Sequence, residues 1–484
     1  MRRSASEQQG GERPIVVWFR RDLRVDDNPA LIEAVRSGAA VIPLFVVDTK
    51  LISALPSDGA AFDLQAGALR ELEDMIRRRG GTLLLRHGDG EDVHRSVIRD
   101  FQPSALYFNR DYEPSARTRD ERIIRLYRTA GIDVRTFKDA VIFEPDEVLT
   151  VDGRPYVVFT PFANTWKRLP APSPRSAPRR IRTPELSGGG VPDARSLGRK
   201  TAVSAPIATG GERAARKRWE WFLRNGLANY DRGRDLPAID GTSRMSPYLR
   251  FGTISVRRMV EDVREAIDAG DAAASASARK YLDELIWREF YQAVLYHFPR
   301  VTTGNFRQQF DALRWRTNSR YFEAWKEGRT GVPLVDAGMR QLNETGWMHN
   351  RMRMVVASFL TKDLLIDWKR GEKYFASKLL DADTAANNGG WQWAASTGVD
   401  PKPLRIFNPR LQGERYDPEG DYIRRYVPEL EDVPTEFIHA PHEMPGQLQH
   451  ELRCVIGRRY PAPIVDHASA AAIYRKLFAS VKHP

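Results

Sequence analysis

The first 143 residues alternate short apolar runs with amphipathic segments. The runs read IVVWF, VIPLFVV, TLLLR, ALYF and VRTF, and each has the length of a buried strand. The segments between them have helical spacing, for example residues 62–79. Because parallel strands need helical crossovers, this order predicts an α/β domain over residues 14–143, built on a doubly wound parallel sheet.

The first strand runs into FRRDLRVDDNPAL, which contains no GxGxxG loop. The sequence therefore does not support a pyrophosphate-binding loop after this strand, and it does not support a Rossmann-type dehydrogenase. Asn28 followed by Pro29 predicts a helix start with Asn28 as the N-cap. A ligand of this domain is expected in the crevice at the carboxyl ends of the strands.

A chain of 484 residues is too long for one core, so a second domain is expected. Residues 213–475 predict an all-α domain, with helices over residues 213–225, 256–269, 278–296, 333–345 and 350–369. We predict that residues 144–212 form a surface linker without helix or strand. Within this segment, residues 161–193 are rich in Pro, Ser, Gly and Arg, which disfavour both kinds of element. Residues 1–13 predict a disordered tail.

The formal net charge of +12 favours a polyanionic partner, with a merely solvated basic surface as the alternative. The single cysteine, Cys454, excludes internal disulfides and cysteine-rich metal sites, and it fits a reducing cytosol. His439, His442 and His450 lack ligand spacing, so no metal is expected. No apolar run reaches the roughly 18 residues of a membrane-spanning helix, and we expect a soluble protein.

Residues 346–397 gather polar and aromatic groups that suit a pocket. Asn350 and Arg353 stand at i and i+3 of one predicted helix, so they share a face. Asp381 and Asp383 precede a double Asn, double Gly sequence that predicts a turn. Core packing, base stacking and electron transfer all remain open for the tryptophans of this segment, which are Trp347, Trp368, Trp391 and Trp393.

Two other segments suit phosphate and base chemistry. GTSRMSPYLRFGTIS, residues 241–255, places hydroxyls and a guanidinium before a helix, which suits a phosphate, although ordinary capping explains each residue singly. DELIWREFY, residues 283–291, places Glu284, Trp287 and Arg288 within about one helical turn. A buried hydrogen bond without functional weight explains that spacing equally well.

The strings DELIWREFY, TGWMHNRMRM and NNGGWQWAAST are together too specific for helix or turn propensity. They resemble the DNA photolyase and cryptochrome family, most closely the class I cyclobutane pyrimidine dimer photolyases of bacteria, from about Ile15 to about Tyr474. The resemblance implies a deoxyribodipyrimidine photo-lyase, a carbon–carbon lyase that holds U-shaped FAD in its helical domain. It also implies light-driven repair of pyrimidine dimers by electron transfer from reduced FAD.

The resemblance further implies roles for the residues at matching positions. Cofactor contacts are implied for Tyr230, Thr242, Ser243, Arg244, Met245, Ser246, Tyr281, Glu284, Arg288, Asn350, Arg353, Asp381, Ala382, Asp383 and Asn387. Catalytic roles are implied for Glu284, Trp287, Asn350, Met354, Asn387 and Trp393. Electron transfer to the flavin is implied for Trp315, Trp368 and Trp391. DNA contacts are implied for Arg234, Trp287, Asn350, Arg351, Trp393 and Arg405.

Some of these roles are more specific. By resemblance, Glu284 binds the pyrimidine carbonyl and N3 edge of the lesion, and Trp287 and Trp393 stack on or wedge the two thymines. Arg288 would face the cofactor. Arg353 and Asp381 would form a buried ion pair beside the flavin ring, tuning the flavin rather than stabilising the fold.

Three residues discriminate between branches of the family. By resemblance, Asn387 faces flavin N5, where plant cryptochromes carry Asp and animal cryptochromes carry Cys, which favours repair over signalling. Asn350 and Met354 stand where (6-4) photolyases carry histidines, and neither side chain can act as a general acid. A cryptochrome-type blue-light photoreceptor and a flavin-free DNA-binding protein are the alternatives.

The resemblance also implies an antenna chromophore, either methenyltetrahydrofolate or 8-hydroxy-deazaflavin, in the N-terminal domain. Glu113 resembles the carboxylate that holds folate in some members, whereas residues 300–302 read Arg-Val-Thr near the place of a Cys-Lys pair in one bacterial type. The expected partner is UV-damaged DNA. We expect a monomer in the bacterial cytoplasm, associated with the nucleoid when bound to DNA and not with membranes.

Overall fold

The computed structural model describes residues 13–49, 60–187, 190–192, 204, 207–400 and 404–482. Five parallel strands form one sheet in the order β3-β2-β1-β4-β5. Their bounds are β1 Ile15–Phe19, β2 Val41–Asp48, β3 Leu84–Gly88, β4 Ala105–Asn109 and β5 Asp133–Phe137. The predicted doubly wound sheet is confirmed, because every predicted run forms a strand and β1 and β4 are buried along their whole length.

Among the described residues, four helices cover the two faces of this sheet. They are α1 Pro29–Arg36, α2 Ala60–Arg77, α3 Gly90–Phe101 and α4 Pro114–Thr129. The predicted start of α1 is confirmed: the Asn28 side chain accepts a hydrogen bond from the amide of Leu31, and Pro29 occupies the first turn.

The expectation that residues 144–212 lack helices is wrong. Helix α5 spans Phe159–Arg168, and its Trp166 is fully buried. The Trp166 indole donates to the carboxylate of Glu289 at 2.7 Å, so a tertiary contact holds a helix that the local Pro-rich composition disfavours. Residues 1–12 of the predicted tail lie outside the described residues, but Arg13 donates to the carbonyl of Gln102 at 2.7 Å and is ordered against the sheet domain.

The second half of the described chain is helical, as predicted. Its helices are α6 Glu212–Asn225, α7 Tyr230–Gly233, α8 Ser246–Phe251, α9 Val256–Ala269, α10 Ala272–His297, α11 Ser319–Glu327, α12 Pro333–Thr345, α13 Asn350–Ser358, α14 Trp368–Lys378, α15 Thr384–Ala394, α16 Pro409–Tyr416, α17 Asp421–Tyr426, α18 Gly446–Glu451 and α19 His467–Lys482. None of the described helices is long and apolar enough to cross a membrane.

The single helix predicted over residues 350–369 is in fact two helices. Helix α13 passes into a π-helical turn at Phe359–Asp363, and Leu365 takes a φ of 56°, which no α-helix continues. Asp367 then caps α14 by accepting from the amide of Lys369. The apolar spacing through this region hid the break, because both helices bury the same stripe in one core.

The turn predicted at the double Asn, double Gly sequence is also wrong, because these residues lie inside α15. Asp383 caps that helix by accepting from the amide of Ala386 at 3.1 Å. Gly389 is required by packing: a Cβ there would lie 2.1 Å from the Tyr291 ring. The tertiary contact offsets the low helix propensity of glycine.

Buried polar contacts join the two domains. The amide of Leu23 donates to the carbonyl of Phe251 at 3.0 Å. The Arg257 guanidinium on α9 pairs with Asp27 at 2.7 Å and with Asp139 at 2.6 Å. Ion pairs this deeply buried are costly to break, so they hold the sheet domain in a defined position on the helical domain.

Candidate active site in the helical domain

A cluster of aromatic and hydroxyl groups joins α7, α10 and the loop before α8. The Tyr281 hydroxyl donates to Oγ of Ser243 at 2.9 Å, and the Tyr230 and Tyr281 rings meet edge to face at 5.1 Å. The end of α7 and this loop approach closely because each has a glycine at the contact: a Cβ on Gly241 would lie 2.4 Å from the carbonyl oxygen of Gly233. Ser243 and Tyr281, whose motifs lie more than 35 residues apart in the chain, therefore meet in one wall of the candidate site.

An arginine absent from the sequence-based assignments supports this wall. Arg218 on α6 donates to the backbone carbonyls of Thr242 and Ser243, at 2.5 and 2.8 Å, and pairs with both oxygens of Asp240. Arg244 takes a φ of 54°, and its guanidinium lies 5.6 Å from the centre of the Trp347 ring. The remaining residues of this predicted loop differ in exposure: Thr242 is half-buried, Met245 is buried and Ser246 is exposed.

Glu284 on α10 is ion-paired with Arg234. Its Oε1 atom lies 2.7 Å from Nη1 of Arg234, which also lies over the Tyr230 ring at 5.4 Å. Burial raises the pKa of Glu284, although the positive charge of Arg234 opposes this shift. The pair connects a predicted DNA contact with a predicted catalytic carboxylate.

Arg351, predicted to contact DNA, is held by side chains that the sequence did not single out. Its guanidinium pairs with Asp235 at 2.5 Å, donates to Gln412 at 3.2 Å and lies over the Tyr416 ring at 3.9 Å. Only 12% of its side chain is exposed. These contacts come from α16 and the loop after α7, which sequence spacing cannot connect.

The predicted ion pair of Arg353 and Asp381 is present, with Nη2 2.8 Å from Oδ2. Arg353 also donates from Nε to the carbonyl of Met348 at 2.9 Å, which fixes its guanidinium plane. Oδ1 of Asp381 is buried and has no hydrogen-bond partner among the described residues. An unsatisfied buried acceptor of this kind fits a cofactor that carries an N–H group.

Asn387 lies on α15 beside an open helix face. Its Nδ2 atom donates to the carbonyl of Glu372 at 3.0 Å, which leaves Oδ1 as an acceptor. Gly390, one turn later on the same face, is open: a Cβ there would meet no atom within 4 Å. Asn350 is exposed at the start of α13, and Met354 and Ala382 are half-buried.

Trp368 and Trp391 pack in the same core on neighbouring helices. Trp368 is fully buried at the start of α14, and Gly371 lies one turn after it. A Cβ on Gly371 would lie 2.1 Å from Cη2 of Trp391, so this glycine allows the Trp391 ring to rest on α14. Trp315 is half-buried and packs against this core, because the amide of Arg316 donates to the carbonyl of Leu365 at 2.6 Å.

No sequence motif predicts the partners of these tryptophans. The Trp368 indole donates to Oδ1 of Asn305 at 2.9 Å. Trp391 meets Phe375 edge to face at 5.0 Å and Trp325 at 6.0 Å. A single Asn and an ordinary core aromatic have no sequence signature outside the fold that brings them together.

Trp287 and Trp393, predicted to contact the lesion, are both half-buried. Trp287 stacks on Phe159 of α5, with ring centroids 3.8 Å apart and planes 4° from parallel. Trp393 lies 6.3 Å from the Phe407 ring. Phe159 lies in the segment predicted to be a linker without helix or strand, so the sequence did not predict that it stacks on Trp287.

A second candidate site lies between the domains. A cleft of about 520 Å³ opens where the residues after β1 meet the residues after β4, at the switch point of the sheet. Arg21 pairs there with Glu113 at 2.5 Å and with Asp383 at 2.6 Å. Burial favours the neutral form, but Arg21, Arg250 and Arg288 outweigh it and hold the pKa of Asp383 well below its usual value.

Two residues expected at the flavin line this interdomain cleft. Arg288 donates to the carbonyl of Ala140 at 2.6 Å, and burial lowers its pKa. Asp383 pairs with Arg21 of the sheet domain. Their contacts therefore lie on the sheet-domain side of α10 and α15, and their assignment to the cofactor remains a prediction.

Arg405 is exposed, and its side chain forms no hydrogen bond or ion pair with a described residue. Within the described part of the chain, no group of three or more His, Cys, Asp or Glu side chains is placed to hold a metal ion. The imidazole of His439 instead contacts the carbonyl of Pro418 at 3.4 Å.

This architecture, a parallel sheet domain packed on a helical domain, is the photolyase fold, as the comparisons show. Residues 15–179 match the family described as DNA photolyase, and residues 281–480 match the FAD binding domain of DNA photolyase. A deoxyribodipyrimidine photo-lyase of Synechococcus is 40% identical, with 97% of this chain and 98% of the relative covered. The chain belongs to the DNA photolyase family.

Solved structures agree. A class III photolyase from Agrobacterium tumefaciens is 37% identical, with a TM-score of 0.90 and complete coverage of both chains. An archaeal photolyase from Sulfolobus tokodaii, described with two FAD molecules, is 34% identical with a TM-score of 0.82 over 96% of this chain and 100% of the other. A cryptochrome of Synechocystis is 26% identical with a TM-score of 0.90 over 97% of this chain and 100% of the other. The expected enzyme class and the FAD-binding domain are thus confirmed.

Proposed function

We propose that this protein repairs cyclobutane pyrimidine dimers in DNA, using light and reduced FAD as the electron source. The observation that carries the proposal is the position of Glu284: a carboxylate with a raised pKa, paired with Arg234 and one turn from Trp287. Its side chain can bind the polar edge of a pyrimidine while an indole packs on the apolar face. The Synechococcus relative named for this chemistry supports the same reading.

The residues present fit FAD. Tyr230, Ser243 and Tyr281 form a wall with hydroxyl groups, and the unpartnered Oδ1 of Asp381 would accept a hydrogen bond from the flavin ring. When bound, reduced FAD supplies the electron that opens the dimer and receives it back. Asn387 would accept a hydrogen bond through Oδ1, because the bond from its Nδ2 to the carbonyl of Glu372 fixes the orientation of the amide and leaves Oδ1 free.

Glu284 has two tasks in this proposal. The carboxylate can accept a hydrogen bond from N3–H of a pyrimidine, and the protonated form, which burial favours by raising the pKa of Glu284, can donate to a pyrimidine carbonyl. Arg234 orients the carboxyl group by its 2.7 Å contact. Positioning and electrostatics, rather than a covalent step on the protein, are what this chain would contribute.

The (6-4) lesion remains a poor fit, because His349, the histidine next to Asn350, is not in a state to act as an acid. His349 directly precedes Asn350, but its Nδ1 accepts from the amide of Arg351 at 3.2 Å and caps α13. Burial lowers the pKa of His349 to about 4, so the ring is neutral near pH 7. A repair step without proton transfer from the protein, as in dimer splitting, suits these residues.

DNA would bind through phosphate contacts and extrusion of the dimer. A dimer stacks weakly within the duplex, which lowers the cost of taking it into a pocket. Trp287 and Trp393 would pack against the extruded bases, and Arg234, Arg351 and Arg405 would lie near flanking phosphates. Because Arg234 and Arg351 are paired with carboxylates, phosphate would have to exchange with or share those partners.

The proposal includes an antenna chromophore in the interdomain cleft. The buried Oε1 of Gln292 lines this cleft and has no hydrogen-bond partner among the described residues, which supports a ligand with N–H donors. Glu113 lies in the same cleft. Heat release of bound chromophores followed by mass spectrometry tests whether a folate, a deazaflavin or a second FAD is present.

The finer assignments are part of the same proposal. Membership of class I rests on the resemblance of the three motif strings, while the Agrobacterium structure is of class III. We also propose the monomeric state, the cytoplasmic location and the domain bounds of 14–143 and 213–475. Sedimentation velocity of the purified flavoprotein tests the monomer.

The decisive experiment uses the flavoprotein reduced with dithionite and an oligonucleotide carrying one thymine dimer. Blue or near-UV light should restore thymine over many turnovers, and the dark control should not. No repair by protein that retains reduced FAD would favour the second candidate, a blue-light photoreceptor. That candidate is supported by the shared fold of the Synechocystis cryptochrome.

A further inference from the structure

A pocket of about 400 Å³ lies beside Trp393, and it contains side chains that the proposed repair chemistry leaves without a role. Its lining includes Arg307, Lys362, Asp400, Arg405 and Phe407. Of these, sequence resemblance singles out Arg405 alone. The other cations in the pocket therefore need a separate explanation.

Arg307 is anchored by its backbone, independently of its side chain. Its amide donates to the carbonyl of Thr397 at 3.1 Å, just after α15. The preceding amide, of Phe306, donates to Oε1 of Gln392 at 2.7 Å. The Cα of Arg307 is thus fixed against the end of the helix that carries Trp393.

The guanidinium of Arg307 has no partner among the residues that the structure describes. It is half-buried, yet it forms no hydrogen bond, ion pair or ring contact with any described residue. Burial lowers the pKa of Arg307, and Asp400, whose carboxylate lines the same pocket, forms no ion pair with it. A partly desolvated cation without a counter-charge is costly unless an external anion pairs with it.

The contrast with the other site arginines is informative. Arg234, Arg351 and Arg353 each pair with a carboxylate, at 2.7, 2.5 and 2.8 Å. Arg307 and Arg405 lack such partners among the described residues, and both line the pocket beside Trp393. The carboxylate of Asp400 also lines it, and Oδ1 of Asp400 accepts from the amide of Phe159 at 3.4 Å.

Lys362 holds the two walls of this pocket together. Its ammonium donates to Oγ of Ser396 at 3.0 Å and to the backbone carbonyl of Arg405. The residue is 2% exposed, so it acts as a support rather than as a surface contact. The position of the Arg405 backbone relative to the end of α15 is therefore defined before any ligand binds.

We propose that Arg307 is a further DNA-contacting residue, which binds, together with Arg405, a backbone phosphate of the dimer-bearing strand beside Trp393. A guanidinium matches phosphate geometry with two parallel donors, and the neighbouring Trp393 and Phe407 rings suit the adjoining base. This inference rests on the proposed function, because the strand is identified by the dimer that the site would hold.

The test measures DNA affinity in the dark, with flavoprotein and a labelled oligonucleotide that carries one thymine dimer. Arg307→Gln should weaken binding about tenfold. Between about 50 and 200 mM salt, the slope of log affinity against log salt should fall by about 0.9 on duplex and about 0.7 on single-stranded DNA. Arg95→Gln, which removes the same charge from α3 of the sheet domain, is the matched control and should change neither value.

Arg307→Lys keeps the positive charge but changes the geometry of the hydrogen-bond donors. It also tests the proposal if Arg307→Gln does not fold. It should retain the salt slope but lose several-fold in affinity, because an ammonium cannot reproduce the two-donor fork. Wild-type preference for dimer DNA, with both Arg307 variants unchanged, would overturn this inference alone. A loss on duplex without any loss on single-stranded DNA would place the phosphate on the other strand and also overturn it. Absence of any dimer preference in the wild type would overturn the proposed function and this inference with it.

Discussion

Nη1 of Arg234 lies 2.7 Å from Oε1 of Glu284, so a predicted phosphate contact and a predicted lesion contact are paired with each other in the free protein. Lesion binding must therefore act on both residues at once. A phosphate that attracts Arg234 would weaken its hold on Glu284 and leave the carboxyl group more available to the pyrimidine edge. This relation makes Glu284 the most direct point for a mutational test.

Glu284→Gln should lower the light-dependent repair yield about tenfold, because the charge-assisted contact with Arg234, which orients this side chain toward the pyrimidine edge, is lost. FAD should be retained, since Tyr230, Ser243 and Tyr281 are untouched. The yield is measured by chromatography of thymine after illumination of dithionite-reduced enzyme. Exposed Glu265→Gln on α9 is the control. An unchanged yield in Glu284→Gln would remove this residue from the catalytic assignment.

Trp368→Phe should stop photoreduction of oxidised flavin while sparing repair by chemically reduced enzyme. The reason is the position of Trp368, fully buried beside the glycine that seats Trp391. Absorbance during blue illumination with an external donor measures the first effect, and the thymine assay measures the second. Trp221→Phe, at an exposed position on α6, should alter neither. Loss of both activities in Trp368→Phe would mean that the indole is structural.

Acid should destabilise the fold through His349. Its pKa is about 4 in the fold, against 6.5 for the ordinary group, so only the unfolded chain takes up this proton between those values. Stability therefore falls as pH drops through that window, by up to about 1.4 kcal/mol per pH unit. His349→Asn keeps a capping side chain and should weaken the pH dependence of unfolding by urea, unlike His442→Asn at an exposed site. If the free energy of unfolding depended equally on pH in the wild type, His349→Asn and His442→Asn, His349 would not be the group responsible.

Gly371→Ala should destabilise the helical domain by about 1–3 kcal/mol, because the new Cβ would lie 2.1 Å from the Trp391 ring. Displacement of that ring should also slow photoreduction. Gly446→Ala is the control, since a Cβ there meets no atom within 4 Å. Thermal unfolding measures the loss of stability, and the rate of flavin bleaching measures photoreduction. A Gly371→Ala protein as stable and as photoreducible as the wild type would contradict the packing described for Trp391.

Arg21→Gln should lower the melting temperature by about 4 °C, because Glu113 and Asp383 lose their shared partner across the domain interface. Glu113→Gln should cost less, as Arg21 keeps Asp383. The double variant should lose less than the sum of the two single losses, since the Arg21–Glu113 contact is already absent and only the pair of Glu113 with Arg250, at 3.1 Å, is newly weakened. Additive losses would show that the two residues act independently. Calorimetry of the flavoprotein gives all three values.

Local sequence was a good guide wherever one element makes its own contacts. The strands followed from apolar runs, the Asn28 cap from its side-chain chemistry, and helices α9 and α12 were predicted with their observed bounds. Two of the failures share a cause. Helix α5 and the Asn-Asn-Gly-Gly stretch of α15 are helical because Glu289 and Tyr291 of α10 contact them, and neither contact is local in sequence.

By itself, the sequence determined the two-domain order, the basic surface charge and the chemical types of the site residues, because these follow from composition, periodicity and short motifs. Only the tertiary structure decided which charges meet. It paired Arg234 with Glu284 and Arg351 with Asp235, and it gave Trp368 an amide partner in Asn305, whereas Arg307 forms no ion pair with any described carboxylate. The physical reason is that the free energy of a charge or an indole N–H depends on its burial and its nearest partners, and these come from segments distant in the chain.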